Sequence, residues 1–186
     1  MRGLAAEAVK RLGGQVTLPP FELRPWFSEF PEMLPSIKDQ LDPIFRPRSV
    51  AVVGASNRRD RWGYETMFNV LNWSQFRGEV YPIHPKDELV QGIKAYKSVV
   101  EVPGPIDLAI IVVNASQAVE VFRECAQKKV GGAVIITAGF AETGEEGRRL
   151  QDEVVRIARK GGLRFVGPNG NGMWTSAVGL NVTPLP

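Results

Sequence analysis

The residues best suited to chemistry lie between Val53 and Tyr64, where the chain reads Gly54-Ala-Ser-Asn-Arg-Arg-Asp-Arg-Trp-Gly63. Gly54 can turn sharply at the end of an apolar run, because a residue without Cβ tolerates positive φ. Ser56 and Asn57 add polar donors. Arg58, Arg59 and Arg61 crowd into four positions, opposed only by Asp60. A glycine turn that opens a helix presents unpaired N–H groups, and guanidinium groups bind phosphate by charge-assisted hydrogen bonds. The chemistry expected here is the holding of a phosphorylated ligand. A second cation, Lys86, closes the segment Tyr81-Pro-Ile-His84-Pro85-Lys86.

These groups act together only if the fold brings them to one place. Five short apolar runs rich in Val and Ile occur at 49–53, 79–83, 107–113, 132–137 and 163–166. They are too continuous to be half-solvated, as expected of strands covered on both faces. Helical spacing fills two of the gaps. Val119, Phe122 and Ala126 recur within 115–129, and Leu150, Val154, Ile157 and Ala158 within 145–160. Thr143-Gly-Glu-Glu146 has the form of a capping box, and Gly161-Gly162 should end the second helix. The alternation predicts an α/β fold, a Rossmann-like, doubly wound and mainly parallel sheet with helices on both faces. Ligands of such sheets bind outside the carboxyl ends of the strands. The segments that matter are therefore Gly54–Tyr64, His84–Asp87, Asn114–Ser116, Ala138–Phe140 and Gly167–Gly172.

Ahead of this pattern lies a different region. Seven of the 14 prolines fall in the first 47 residues, which excludes a long helix or a central strand there. We expect residues 1–47 to form a Pro-rich N-terminal extension, with Trp26, Phe27 and Phe30 packed on something and a short helix over Leu4–Leu12. Residues 48–186 then form the Rossmann-like domain.

Composition narrows the function. The 186 residues carry 23 Lys+Arg against 20 Asp+Glu, a net charge of +3, too slight to indicate nucleic acid. One cysteine, Cys125, and one histidine, His84, exclude a disulfide framework and a Cys/His zinc site, and no metal is expected. Cys125 shares a helix face with Phe122 and reads as core. No apolar run approaches the ~20 residues that cross a bilayer, and residues 1–14 lack a secretory apolar stretch, so a cytoplasmic protein is expected.

An NAD(P)-binding domain of redox or regulatory type is one alternative, and a non-catalytic interaction module is another. The spacing departs from Gly-x-Gly-x-x-Gly, since position 56 is Ser and position 59 is Arg. The second strand ends in Lys86 rather than in the acidic residue that holds a ribose diol.

Five segments in order, Arg48–Ser56, Val80–Lys86, Asp107–Val113, Gly132–Phe140 and Gly167–Asn169, closely resemble the coenzyme A-binding domain of nucleoside-diphosphate-forming acyl-CoA synthetases, relatives of the succinyl-CoA synthetase α subunit. The resemblance covers about 42–184. It implies that Gly54, Ala55, Ser56 and Asn57, with Arg58, Arg59 and Arg61, hold the CoA phosphates, and that Lys86 meets the same ligand. It implies that Ile136, Thr137 and Ala138 line the pantetheine path and that Asn169 lies near the thiol. It assigns no catalytic residue to this chain, because the phosphohistidine of that family belongs to a later domain. His84 is expected to be a binding or structural residue. The implied partners are CoA or an acyl-CoA, and further ligase domains or a β-type subunit; homo-oligomerisation is left open. The chain departs from the family pattern at His84, which replaces Asn, and after Asn169, where Gly170-Asn171-Gly172 replaces Cys-x-Gly.

Overall fold

In the computed structural model of the protein, the described residues are 36–183. The expectations for Leu4–Leu12, Trp26, Phe27 and Phe30 fall outside them. The elements are α1 (Ile37–Phe45), β1 (Ser49–Val53), α2 (Trp62–Phe68), β2 (Glu79–Ile83), β3 (Leu89–Val90), β4 (Ile93–Lys94), β5 (Leu108–Ile111), α3 (Ala115–Lys128), β6 (Gly132–Ile135), α4 (Glu145–Gly161), β7 (Arg164–Val166), β8 (Trp174–Thr175) and β9 (Leu180–Asn181).

Five strands form one parallel sheet in the order β2-β1-β5-β6-β7. Every residue of β1, β5 and β6 is buried, which is why these strands read as unbroken Val/Ile runs. Alternation sorts their side chains by face. Ala51, Val53, Ala109, Ile111, Ala133 and Ile135 pack with Phe122 and Cys125 of α3 and with Val154 and Ile157 of α4. Val50, Val52, Leu108, Ile110 and Val134 pack instead with Ile44 of α1, Met67 of α2 and Leu180 of β9. The chain thus has the expected Rossmann-like layers, with the strand order reversing at β1.

Helix ends follow local chemistry. Gly162 (φ +68°) stops α4, as the glycine pair predicts, whereas α3 stops at Lys129 with φ +57° and no glycine. The capping box expected at Thr143–Glu146 does not form. Thr143 donates its hydroxyl to Phe140 O (2.8 Å) to close a tight turn, and Gly144 takes the capping position. Gly147 explains the choice: a Cβ there would lie 1.8 Å from Phe140 O, so the turn is pressed against the first turn of the helix. Across the two helices Glu153 binds both Arg123 and Arg156. The Arg156 hydrogen bonds, helped by Arg123, hold the Glu153 carboxyl down at about 2. This stabilisation is complete above the ordinary glutamate range and is lost only as pH falls towards 2.

The stretch expected to lie outside the main fold contains one element that belongs to it. Ser36 and Asp39 form a capping box, with Asp39 N–H donating to Ser36 Oγ at 3.1 Å and Ser36 N–H donating to Asp39 Oδ2 at 3.2 Å. The helix they start, α1, carries Pro43 inside it and buries Ile44. Two glycines at the entry to β6 make room. A Cβ at Gly131 would lie 2.6 Å from Pro43 Cβ, and one at Gly132 would lie 2.3 Å from Ile44 Cγ1.

Ile44→Ala should cost about 2–5 kcal/mol in urea unfolding, the range for a buried aliphatic truncated in a packed core. Ile37→Ala on the exposed side of the same helix, 62% accessible, should stay within about 0.5 kcal/mol of wild type. Equal small effects would show that α1 is not part of the cooperative unit.

Candidate functional site at the carboxyl ends of the strands

The parallel register places the ends of β1, β2 and β5 side by side, with Val53 opposite Ile83 on one flank and Ile111 on the other. Gly54 follows with φ +92° and donates its N–H to Ile83 O (3.1 Å). A Cβ at Gly54 would lie 2.9 Å from Val113 Cγ1 and 3.1 Å from the Val112 carbonyl, so the turn lies hard against the end of β5. Gly63, in the first turn of α2, approaches from the other side, and a Cβ there would lie 1.8 Å from Gly54 O. The sequence displays Gly63 but gives it no role, because the contact depends on where α2 begins. That helix starts only at Trp62 and is seven residues long, so residues 54–61 form a loop rather than opening directly into a helix.

Hydrogen bonds shape this loop. Ser56, almost fully buried, accepts from Arg58 N–H at 3.0 Å. Asn57 donates both amide hydrogens, to Asp87 Oδ2 (3.0 Å) and Leu89 O (2.9 Å). Its side chain therefore ties the loop to the segment after β2. Arg58 binds Asp60 through two nitrogens, at 3.1 and 2.7 Å, and Arg61 lies 3.8 Å from the same carboxylate. The Arg58 hydrogen bonds, reinforced by the charges of Arg58 and Arg61, hold Asp60 below the usual carboxylate range. Arg59 sits over the ring of Tyr64 at 5.9 Å.

Lys86 is exposed and makes no ion pair among the described residues. Its loop is held from beneath by His84, whose Nδ1 accepts from Asp87 N–H (2.8 Å) and Lys86 N–H (3.3 Å). Asp87 Oδ1 lies 3.6 Å from the same nitrogen, but an acceptor of two N–H groups carries no proton, so this is not an ion pair in the neutral ring. His84 is a structural residue of the Lys86 loop in this geometry.

The remaining predicted positions follow along the same edge. Thr137 donates its hydroxyl to Val113 O (2.5 Å), and its carbonyl accepts from Asn169 N–H (2.9 Å). Gly170 N–H donates to Ile135 O (3.3 Å), which folds the loop after β7 back over β6. Asn169 itself has φ +55°. Ala138 is exposed and Ile136 is buried on the α1/α2 face. Contacts thus join Asp87 to Asn57, and Gly54 through Val113 and Thr137 to Asn169, with the chain from 54 to 57 linking the two groups. The predicted positions fall in the segments that follow β1, β2, β6 and β7, with Ile136 turned into the core on the α1/α2 face. Cys125 lies far from this use: burial, with a smaller push from Glu124, drives its thiol up to about 12. Among the described residues no cluster of His, Cys, Asp and Glu could hold a metal ion, and no helix is long and apolar enough to cross a membrane.

Sequence reading missed the β3–β4 and β8–β9 hairpins. Their strands are two residues long, too short for periodicity to register. The first packs beside the basic loop and carries Gln91, which donates to Ser56 O (3.3 Å) and Tyr64 O (3.0 Å).

Comparison with known proteins is consistent across sequence and structure. A family model described as a CoA binding domain matches residues 48–174. The chain is 50% identical over 143 residues to the alpha subunit of acetate–CoA ligase [ADP-forming] II of Pyrococcus furiosus, covering 77% of this chain and 31% of that protein. It is 46% identical over 127 residues to 4-hydroxybutyrate–CoA ligase [ADP-forming] of Nitrosopumilus maritimus, covering 68% and 18%. Among solved structures it is similar to PH0766 of Pyrococcus horikoshii OT3, with a TM-score of 0.74 and 48% identity over 78% of this chain and 33% of that one. It is likewise similar to the dinucleotide-forming acetyl-coenzyme A synthetase 1 of Ca. Korarchaeum cryptofilum, solved with phosphate and ADP (TM-score 0.73, 38% identity, 78% and 31% covered). The chain spans about a third or less of the length of these relatives.

Gly63→Ala should destabilise the protein by about 1–3 kcal/mol or more, the cost of forcing a methyl into a packed contact. Calorimetric melting checks it. Gly144→Ala, where an added methyl would meet nothing within 4 Å, reports only the cost of its positive φ. A Gly63→Ala melting point equal to wild type would mean that α2 does not lean on the turn.

Proposed function

The chain belongs to the CoA binding domain family, and on that premise we propose that its strand-end crevice binds coenzyme A or an acyl-CoA. The observation that carries this reading is the uninterrupted edge from the cationic loops to Asn169. CoA presents phosphates at one end and a long neutral tail ending in a thiol, so it needs charge at one end of its site only. Loops 54–61 and 84–87 hold four basic side chains against two acidic ones. Backbone N–H groups of Ser56 and Asn57, with Arg58, Arg59, Arg61 and Lys86, would meet the phosphates, while Gly54 and Ala55, whose N–H groups are engaged by Ile83 O (3.1 Å) and Val52 O (3.4 Å), would shape the turn beneath them. Asn57 would act through its backbone, since its amide hydrogens are committed to Asp87 and Leu89. Ile136, Thr137 and Ala138 would flank the pantetheine, two strand spacings away from β1, about 10 Å. Asn169 would lie nearest the thiol.

In this reading the protein supplies the CoA-binding module of an ADP-forming acyl-CoA ligase, acting with further ligase domains or a β-type subunit in the cytoplasm. The complete reaction joins an acid to CoA at the expense of a nucleoside triphosphate, releasing acyl-CoA, nucleoside diphosphate and phosphate. This chain holds the thiol substrate and carries no catalytic group of its own. Its one histidine is engaged in shaping the Lys86 loop, and its one cysteine is sealed in the core.

Titration calorimetry with CoA, 3′-dephospho-CoA, NADH and NADPH tests the ligand. CoA should bind most tightly, and tighter binding of either nicotinamide cofactor would overturn the reading. Lys86→Ala should weaken CoA about tenfold, the loss of one charge-assisted hydrogen bond of roughly 1.5 kcal/mol. Arg58→Ala combined with Arg59→Ala should weaken it further and flatten its salt dependence. Unchanged affinity would show these side chains to be solvated surface.

A further inference from the structure

We propose that Gln91, at the tip of the β3–β4 hairpin, is a positioning residue that sets the shape of the phosphate loop without touching the ligand; this rests on the CoA reading above. Val90 pairs with Ile93, leaving Gln91 and Gly92 as a two-residue turn with φ +49° and +83°. Such a turn needs positive φ at both positions and favours Asn, Asp or Gly at the first. Glutamine is a poor choice for the backbone, and strain kept at one position points to a use for its side chain.

The use is visible. The Gln91 amide nitrogen donates one hydrogen to Ser56 O (3.3 Å) and the other to Tyr64 O (3.0 Å), and so spans the loop that carries Arg58, Arg59 and Arg61. Its backbone N–H donates to Asn57 Oδ1 (2.8 Å), while Asn57 donates to Leu89 O (2.9 Å) and Asp87 Oδ2 (3.0 Å). Hairpin and loop are thus joined reciprocally on either side of the three arginines. Asparagine would suit the turn better, but its amide is one methylene too short to reach both carbonyls. The glutamine is therefore selected by the loop and tolerated by the turn.

Gln91→Asn and Gln91→Gly separate the two roles, since each relieves the backbone and removes the bridge. Their melting points should equal or exceed that of wild type, while CoA affinity falls about tenfold. Although no charge is removed, the salt dependence of CoA binding should flatten, because the arginines no longer stand over the phosphates. Backbone hydrogen exchange of residues 56–61 in the ligand-free protein should accelerate. Variants with wild-type affinity, salt dependence and exchange would overturn the proposal. A wild-type protein that binds no CoA would instead overturn the CoA reading, and the ligand-free exchange measurement then decides by itself whether Gln91 orders the loop.

Discussion

Everything at the upper edge of the sheet depends on how closely backbone can approach backbone around Gly54. Its carbonyl is covered by Gly63 at a distance that leaves no room for a methyl, and its α-carbon lies against Val112 and Val113 at the end of β5. Two absent side chains therefore allow β1, β5 and the start of α2 to meet at a point. Without that meeting the basic loop would stand away from the sheet and its arginines would be ordinary surface. The same device recurs at the lower edge, where Gly131 and Gly132 admit Pro43 and Ile44 of α1. In both places glycine sets distance between layers rather than flexibility.

Charge in the crevice is arranged rather than merely accumulated. Asp60 holds Arg58 and Arg61 together, which costs part of their field but keeps these two guanidinium groups from dispersing, while Arg59 lies over the ring of Tyr64. Lys86, in contrast, makes no ion pair among the described residues, on a loop whose backbone is organised by His84. The lone histidine thus contributes by accepting hydrogen bonds, a role that residue type alone would not suggest.

The chain spans about a third or less of its relatives, and its described residues already close a complete two-faced sheet. Both faces of that sheet are covered by helices of the described residues, and the basic side chains of the loops at the carboxyl ends of its strands lie outside the two cores.

What the sequence by itself determined was whatever depends on a residue and its near neighbours. Strands buried on both faces need continuous Val and Ile, so 49–53 could be read to the residue. The run 79–83 could be read to the residue as well, although it is an edge strand exposed at Glu79 and half-buried at Val80 and Tyr81, and the helix end at Gly162 followed from a glycine pair. The crevice followed too, because parallel topology fixes which loops share an edge, and Gly54, the arginines and Lys86 fall on it. The tertiary structure alone decided the rest. Whether Thr143 caps a helix or closes a turn depended on Gly147 and Phe140. Whether α1, in a Pro-rich stretch, joins the fold depended on glycines nearly ninety residues further on. Whether Asn57 faces a ligand or a hairpin depended on Asp87, Leu89 and Gln91. Hydrogen bonds and close contacts between distant segments leave no periodicity in the chain, and only the folded distances reveal which polar groups are already partnered.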